Sequence, residues 1–470
     1  MKTRTLSFVL FLQAFLLLMP ALAQPSLPGI WSGKLAVPGG GELTLAFTFF
    51  RDENDSLRAS LRSIEQSPND FPFDQVTSNG RKVNLILRSL HIEVEGTIDS
   101  TDKTMVCDFR QSGFRFPLVL HKTDVMPGLK RPQEPQKPYP YVEEEVTFEN
   151  AKDKITLAGI LTLPKGKGPF PAVILISGSG PQNRDEELFG HKPFLVLSDY
   201  LTRRGVAVLR FDDRGTGKST GNFNDATTAD FASDVMAALA YLKTRKEIDH
   251  GRTGLIGHSE GGMVAPMVAS RSKKVAFIVL LAGPGIGMDQ IVLYQIERQL
   301  KLLGKTEEQT RTEIGFRKKI FEIISSTSDS GLAARKILKA YAGLPETDKN
   351  LLSWTPEQLE GMIRAFSSQW WRFCLTYQPA TTLRKVTCPV LALNGSKDTQ
   401  VQADPNLEAI EKALKEGKCK SFTIKKLEGL NHLFQKCKTG DGFEYGTIEE
   451  TINQEALELI GKWIDESVKN

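Results

Sequence analysis

The stretch Gly257-His258-Ser259-Glu260-Gly261-Gly262 carries the most structural information in this sequence. An apolar run, 253–256, enters it, and a helical pattern over Met263-Val-Ala-Pro-Met-Val-Ala-Ser270 leaves it. A Gly-x-Ser-x-Gly turn between a strand and a helix holds its serine in a strained conformation and projects the hydroxyl above the sheet. The flanking glycines are needed because a Cβ there would collide with the adjoining strand and helix. The pattern predicts a nucleophilic serine, Ser259, and the alternative is a plain glycine-rich turn.

Short, continuously apolar runs recur in the second part of the chain and alternate with helical segments. They lie at 172–176, 206–209, 253–256, 276–281 and 390–393. Such runs predict an α/β fold with a doubly wound, mostly parallel sheet covered on both faces. The stretch of about 285–377 is too long for an ordinary crossover. We expect it to be a helical cap inserted into an α/β domain that spans residues 143–470.

The first part of the chain has a different pattern. Residues 24–124 contain alternating apolar and polar runs, such as 42–49 and 82–87, separated by turn residues. This alternation predicts a small antiparallel all-β domain, either a barrel or a sandwich. Five prolines among charged residues then predict a linker over 125–142.

The N-terminus has the pattern of a secretory signal peptide over residues 1–23. Lys2 and Arg4 precede a mostly apolar run, and small residues at Ala21 and Ala23 suit cleavage before Gln24. The alternative is an uncleaved anchor helix. We expect an exported chain, periplasmic or secreted, with no stable membrane span after cleavage, since no later stretch is apolar and long enough to cross a bilayer.

Composition restricts the function classes. The 470 residues are 40% hydrophobic and 25% charged, which is typical of a globular protein with two or three domains. Sixty basic against 56 acidic residues give a net charge of +4 and no electrostatic reason to expect nucleic-acid binding. The oligomeric state is not determined by these features.

The cysteines give no metal pattern. There are five, at positions 107, 374, 388, 419 and 437, and none has a zinc-ligand spacing. We therefore expect no metal and no cofactor. A disulfide between Cys419 and Cys437 stays open, because those two residues flank the segment that holds His432.

A serine nucleophile needs a base and an orienting acid. Of the six histidines, His432 follows a late strand at 422–427, where its side chain can overhang Ser259. Asp398 follows the strand at 390–393 and is the expected acid, with Asp404 as the alternative. His258 is next to Ser259 and is not expected to reach the serine oxygen.

Two backbone amides are expected to stabilise an oxyanion. One is the amide of Glu260, directly after the serine, and the other comes from the loop Ser177-Gly178-Ser179-Gly180 after the strand at 172–176. Ser179 is the first choice in that loop and Gly178 the second.

The stretch Gly215-Thr216-Gly217-Lys218-Ser219 is similar to a phosphate-binding loop. That motif needs a glycine where this sequence has Asp212. We predict instead a hydrogen-bonded loop beside the active-site face.

From about residue 143 onward the chain resembles the α/β-hydrolase superfamily, especially bacterial esterases and serine-aminopeptidase-like hydrolases. The segments that carry the resemblance are 177–185, 212–219, 257–262, 388–398 and 429–432. The order Ser259, Asp398, His432 is the order of those hydrolases. The N-terminal β-domain adds a resemblance to esterase D-type carboxylesterases, which implies activity on short acyl esters. Ser177-Gly178 stands where many relatives have His-Gly, and this puts the substrate preference in doubt.

These features predict a serine hydrolase, with a carboxylesterase acting on small acyl esters as the leading hypothesis. A serine peptidase is the second hypothesis, for which Glu313 and Glu360 are the candidate groups for a substrate amine. The third is a non-catalytic ligand-binding protein. Trp370 and Trp371 in the cap are candidates for the lining of an acyl or alcohol pocket, and packing is their alternative role.

Overall fold

The computed structural model describes residues 26–37, 41–67, 69–111 and 113–469. The predicted signal peptide lies outside these ranges. The chain divides into two compact units. The first takes the chain up to Leu35, Leu45–Arg62 and Asp70–Met126, and the second takes Ala36–Thr44, Ser63–Asn69 and Pro127–Asn470.

The N-terminal part forms one antiparallel β-sheet. Its strands are β1 Gly29–Val37, β2 Gly41–Arg51, β3 Leu57–Ser63, β4 Phe71–Pro72, β5 Gln75–Asn79, β6 Lys82–Leu87, β7 Ile92–Ile98, β8 Thr104–Gln111 and β9 Phe114–Thr123. They lie in the order β4-β3-β2-β1-β9-β8-β7-β6-β5. Buried and exposed residues alternate along β7, as the period of a half-buried strand requires. A single sheet confirms the antiparallel β-domain and does not fit the sandwich alternative.

The second unit is built on an eight-stranded sheet. Its strands are β10 Val142–Asn150, β11 Ile155–Leu163, β12 Phe170–Ile176, β13 Ala207–Phe211, β14 Ile248–His258, β15 Ile278–Leu281, β16 Val390–Gly395 and β17 Phe422–Leu427. They lie in the order β10-β11-β13-β12-β14-β15-β16-β17. β13, β12 and β14 to β17 are parallel, and β10 and β11 are antiparallel. The central strands are almost fully buried because helices cover both faces.

The helices are α1 Pro193–Arg203, α2 Thr228–Leu242, α3 Gly261–Ala269, α4 Met288–Leu302, α5 Glu307–Ser326, α6 Ser330–Ala342, α7 Glu346–Leu352, α8 Pro356–Phe366, α9 Gln369–Thr376, α10 Pro379–Leu383, α11 Ala403–Glu416, α12 Gly442–Tyr445 and α13 Gln454–Ser467. One face of the sheet packs against α2, α3 and α11, and the other packs against α1 and α13. Helices α4 to α10 all fall between β15 and β16, and α4 to α9 share an apolar cluster of their own.

The open disulfide question is answered against a bond between Cys419 and Cys437. Both are free thiols. The Cys419 Sγ lies 3.1 Å from the Ser421 carbonyl oxygen, and the Cys437 Sγ lies 3.5 Å from the Gly429 carbonyl oxygen. Across the described ranges, none of the helices combines the length and apolarity that crossing a membrane would require.

Candidate active site

The candidate residues lie at the carboxyl ends of neighbouring parallel strands. Ser259 directly follows β14, Asp398 follows β16 and His432 follows β17. Because these strands run parallel, their carboxyl ends share one edge of the sheet, where open α/β sheets bind ligands. The sheet therefore brings three residues that are far apart in the sequence to one edge.

Ser259 lies in the predicted strand-turn-helix. Its φ is +52°, in the left-handed region that a non-glycine residue rarely adopts. Its amide donates to the Leu281 carbonyl at 2.8 Å, which ties the strained residue to the next strand. A Cβ on Gly257 would lie 2.0 Å from the Gly261 carbonyl oxygen, so only glycine allows this close approach. The turn has the backbone geometry that exposes a serine hydroxyl for attack.

His432 and Asp398 form a buried hydrogen-bonded pair. His432 Nδ1 lies 2.7 Å from Asp398 Oδ2. The other carboxylate oxygen, Oδ1, accepts from the amides of Gln400 and Val401, each at 2.8 Å. A carboxylate only accepts, so it keeps the proton on Nδ1 and leaves Nε2 free to take one. Asp404, the alternative acid, instead pairs with the exposed Lys426 at 2.8 Å.

The three amides predicted as oxyanion donors differ in whether they already have an acceptor. Neither the Glu260 amide nor the Ser179 amide has an acceptor among the described residues. The amide of Gly178, the second choice from the sequence, already donates to Glu186 Oε1 at 2.7 Å. A Cβ on Gly178 would lie 3.2 Å from the Ser259 Cβ, so this loop passes directly beside the serine.

Glu186 is a buried residue beside the candidate site that was not predicted from the sequence. This carboxylate is buried in a left-handed turn with φ +51° and lies 2.9 Å from His258 Nδ1. No periodicity or spacing marks it, since the contact spans 72 residues and Glu186 has acidic neighbours on both sides. The other ring nitrogen of His258, Nε2, lies 3.1 Å from the His432 carbonyl oxygen, so both ring nitrogens have partners.

The side chain of Glu260 faces the helices. Its Oε1 accepts from Thr228 Oγ1 at 2.6 Å and from Trp370 Nε1 at 2.7 Å, whereas Oε2 has no partner among the described residues. Burial raises the pKa of this carboxyl, and the two hydrogen bonds only partly offset that effect. Through Trp370, α9 is bound to the residue that follows Ser259.

The loop after β13 is hydrogen-bonded, as the sequence predicted. The amides of Arg184 and Lys218 both donate to the Asp212 carboxylate, at 2.8 Å and 3.0 Å. Asp213 accepts from Ser177 Oγ at 2.8 Å, and its burial raises the carboxyl pKa to about 8. In the loop that resembles a phosphate-binding motif, the Lys218 amide therefore binds the carboxylate of Asp212. In the described ranges no three His, Cys, Asp or Glu side chains cluster as metal ligands would.

Comparison with known proteins places this arrangement in a family. The family model described as serine aminopeptidase, S33, matches residues 193–436, which include Ser259, Asp398 and His432. The chain belongs to the serine aminopeptidase S33 family. Membership gives this part of the chain the α/β-hydrolase fold, and the candidate site lies within the residues that the family model matches.

Two of the proteins that are similar to this S33 chain are named esterases. Esterase EstD of Thermotoga maritima is 33% identical over 171 residues, which are 36% of this chain and 40% of EstD. The chain thus matches well under half the length of that relative. A thiohydrolase of Arthrinium phaeospermum is 29% identical over 29% of this chain and 42% of its own. Among solved structures, the Pyrococcus furiosus esterase PF2001 superposes with a TM-score of 0.42 at 16% identity, covering 73% of this chain and 97% of that one.

Proposed function

We propose that this protein is a serine carboxylesterase that cleaves short-chain acyl esters through an acyl-enzyme intermediate. The observation that carries the proposal is the buried His432–Asp398 pair, at 2.7 Å, on the same sheet edge as the strained Ser259. The esterase relative supports an ester rather than an amide substrate. The substrate partner is a small acyl ester.

The reaction follows from these groups. His432 Nε2 takes the hydroxyl proton of Ser259 while the serine oxygen bonds to the ester carbonyl carbon. The amides of Glu260 and Ser179 hold the resulting oxyanion, and Asp398 stabilises the imidazolium. The carbon–oxygen bond to the alcohol then breaks, and the alkoxide leaves with the proton of His432. Water, deprotonated by His432, attacks the acyl group, and the acid departs as Ser259 regains its proton.

Helices α4 to α9 form a cap over the acyl site in this proposal. The bond from Trp370 Nε1 to Glu260 Oε1 places α9 beside the turn that holds Ser259. Trp371 packs against Trp370 with ring centroids 4.8 Å apart. We propose that this pair of indoles limits the length of the acyl chain. We also propose export to the periplasm or beyond, on the N-terminal sequence pattern alone.

A peptidase with the same residues is the second candidate, because the family is described by aminopeptidase activity. An aminopeptidase needs an acidic group for the substrate amine. Glu313, one candidate from the sequence, is occupied by Arg317 at 2.7 Å within α5, and Glu360 is exposed on α8. Neither residue offers a buried, unpaired carboxylate, and this favours the esterase. A binding protein without catalysis is the remaining alternative.

A substrate panel tests the proposal. p-Nitrophenyl acetate, butyrate and palmitate and a set of aminoacyl p-nitroanilides are assayed with wild type, Ser259→Ala and the control Ser270→Ala. We expect turnover of the short esters in wild type and in Ser270→Ala, and none above background in Ser259→Ala. Anilide turnover well above ester turnover would favour the peptidase. No turnover and no labelling by a fluorophosphonate would favour the binding protein.

A further inference from the structure

Glu186 and His258 form a buried pair that the proposed reaction does not use. Their side chains are 1% and 7% exposed, and Glu186 Oε1 lies 2.9 Å from His258 Nδ1. The hydrogen-bond partners of the pair are the Gly178 amide and the His432 carbonyl oxygen. The pair lies between the loop that passes beside the serine and the loop that carries the base.

Each member of the pair holds one of those loops. Glu186 Oε1 also accepts from the Gly178 amide at 2.7 Å, which fixes the segment that presents the Ser179 amide. His258 Nε2 lies 3.1 Å from the His432 carbonyl oxygen, and the two imidazole rings are 4.8 Å apart. One continuous chain of hydrogen bonds therefore runs from the Gly178 backbone to the His432 backbone.

Both partners of the His258 ring are acceptors, and this fixes its protonation. A carbonyl cannot donate, so Nε2 carries a hydrogen, and the Glu186 carboxylate accepts a second hydrogen from Nδ1. Burial alone would lower the pKa of His258, but the charge of Glu186 and the hydrogen bonds outweigh it and the pKa is raised. These contacts favour the doubly protonated His258 ring, which places a positive charge next to the Glu186 carboxylate.

A buried ion pair is poor at stabilising a fold, because desolvation of two charges offsets much of their attraction. Apolar residues of similar volume would fill the same space. An ion pair is better suited to orienting the groups that it contacts, since each charged hydrogen bond has a defined geometry. Here the oriented groups are the backbones of the Gly178 loop and the His432 loop.

We propose that Glu186 and His258 are positioning residues that hold the oxyanion loop and the His432 loop in register around Ser259. The inference rests on the proposed function and deepens it. The reacting groups must stay within a fraction of an ångström of their working geometry. Glu186 keeps the Gly178 amide turned away from the substrate, and this leaves the Ser179 amide as the donor of that loop.

Two substitutions of His258 separate the two contacts. In His258→Asn the amide nitrogen takes the place of Nδ1, so the Glu186 contact is kept and the His432 contact is lost. In His258→Gln the amide nitrogen takes the place of Nε2, so the His432 contact is kept and the Glu186 contact is lost. Glu186→Gln completes the set by removing the negative charge at constant size.

The measurements are kcat and KM on p-nitrophenyl butyrate, the rate of fluorophosphonate labelling and the thermal unfolding midpoint. We expect each variant to lose about 100-fold in kcat with KM close to the wild-type value, as expected for small displacements of catalytic groups. Labelling should slow in parallel. The double variant Glu186→Gln/His258→Gln should lose less than the product of the two single losses, because the residues act as a unit.

Asp441→Asn is the matched control. It breaks a different ion pair, in which Arg298 Nε lies 2.8 Å from Asp441 Oδ1, and should lower the unfolding midpoint without lowering kcat. Wild-type kcat in all three Glu186 and His258 variants, or a loss confined to the unfolding midpoint, would overturn the inference. Absence of ester turnover by wild type would instead overturn the proposed function, so the two failures are distinct.

Discussion

The indole nitrogen of Trp370 donates a 2.7 Å hydrogen bond to the carboxylate of Glu260, the residue that directly follows Ser259. The donor belongs to α9 and the acceptor to the turn at the end of β14. Glu260 is 4% exposed, and its second carboxylate oxygen has no partner within the described part of the chain. The Trp370 bond is thus one of two hydrogen bonds that the buried Glu260 carboxylate accepts, and its loss should lower the unfolding free energy.

Trp370→Phe tests this connection. It removes the donor and keeps an aromatic ring. Thr228 still donates to the same carboxylate oxygen, so we expect a loss of roughly 0.5–1.5 kcal/mol in unfolding free energy, the usual net value of one hydrogen bond. Trp371→Phe is the control, because that indole nitrogen has no partner among the described residues. Urea unfolding of both variants is the measurement. Equal losses would show that packing, and not the hydrogen bond, holds α9.

Asp398→Asn should lower kcat by about 10⁴-fold with little change in KM, because the amide no longer fixes the proton on His432 Nδ1. Steady-state kinetics on p-nitrophenyl butyrate measures the loss. The control is Asp404→Asn, which removes an exposed pair with Lys426 that contributes little to stability because solvent screens it. We expect near wild-type kinetics for it. A larger loss in the Asp404 variant would reverse the assignment of the acid.

Gly257→Ala should prevent the turn from forming, because its Cβ would lie 2.0 Å from a backbone oxygen that cannot move away. We expect the unfolding free energy to fall by roughly 3 kcal/mol or more, at the upper end for overpacking. Gly315→Ala in α5 is the matched control. No atom lies within 4 Å of the added methyl group, so it should gain about 0.5–1 kcal/mol. A stable, active Gly257→Ala protein would contradict the close approach.

His191 should make the fold sensitive to acid. It is buried, with Nδ1 2.9 Å from Thr451 Oγ1 and Nε2 2.9 Å from the Tyr445 carbonyl, and burial, followed by the charge of Arg131, lowers its pKa from 6.5 to about 4. Between these values the unfolded chain binds a proton that the folded chain does not. The unfolding free energy should therefore fall as pH drops through that window, by roughly 3 kcal/mol at most.

Comparison of wild type with His191→Gln isolates this contribution from that of the carboxylates. Urea unfolding near neutral pH and again close to the folded-state pKa should show a smaller acid-dependent loss in the variant than in wild type. Identical losses in the two proteins would mean that His191 titrates normally in the fold.

The apolar runs were sufficient to predict the parallel part of the sheet. The strand predicted at 422–427 is observed as Phe422–Leu427, and the run at 390–393 is the buried part of β16. Buried strands are visible in a sequence because every residue faces a helix. The antiparallel strands β10 and β11 were not located. β10 lies at the sheet edge, and its three consecutive glutamates interrupt any apolar pattern.

The candidate site was predictable where a residue follows a strand and not where it depends on a partner far along the chain. Asp398 and His432 were singled out because each lies in the loop that follows a predicted strand, at 390–393 and 422–427. The hydrogen bond from the Gly178 amide to Glu186 was not predictable, because only the fold brings that carboxylate to the loop. The pairing of Glu186 with His258 has the same origin, since local sequence does not encode a contact across 72 residues.

Acylation of Ser259 is the step on which the proposed mechanism depends. Mass spectrometry of the protein quenched during turnover of p-nitrophenyl acetate, or after fluorophosphonate treatment, tests it directly. Trypsin releases Ser259 in the peptide 253–271, between Arg252 and Arg271. We expect one acyl or phosphonyl group on this peptide, at Ser259, and none in Ser259→Ala. A label at another residue, or an undiminished label in the alanine variant, would contradict it.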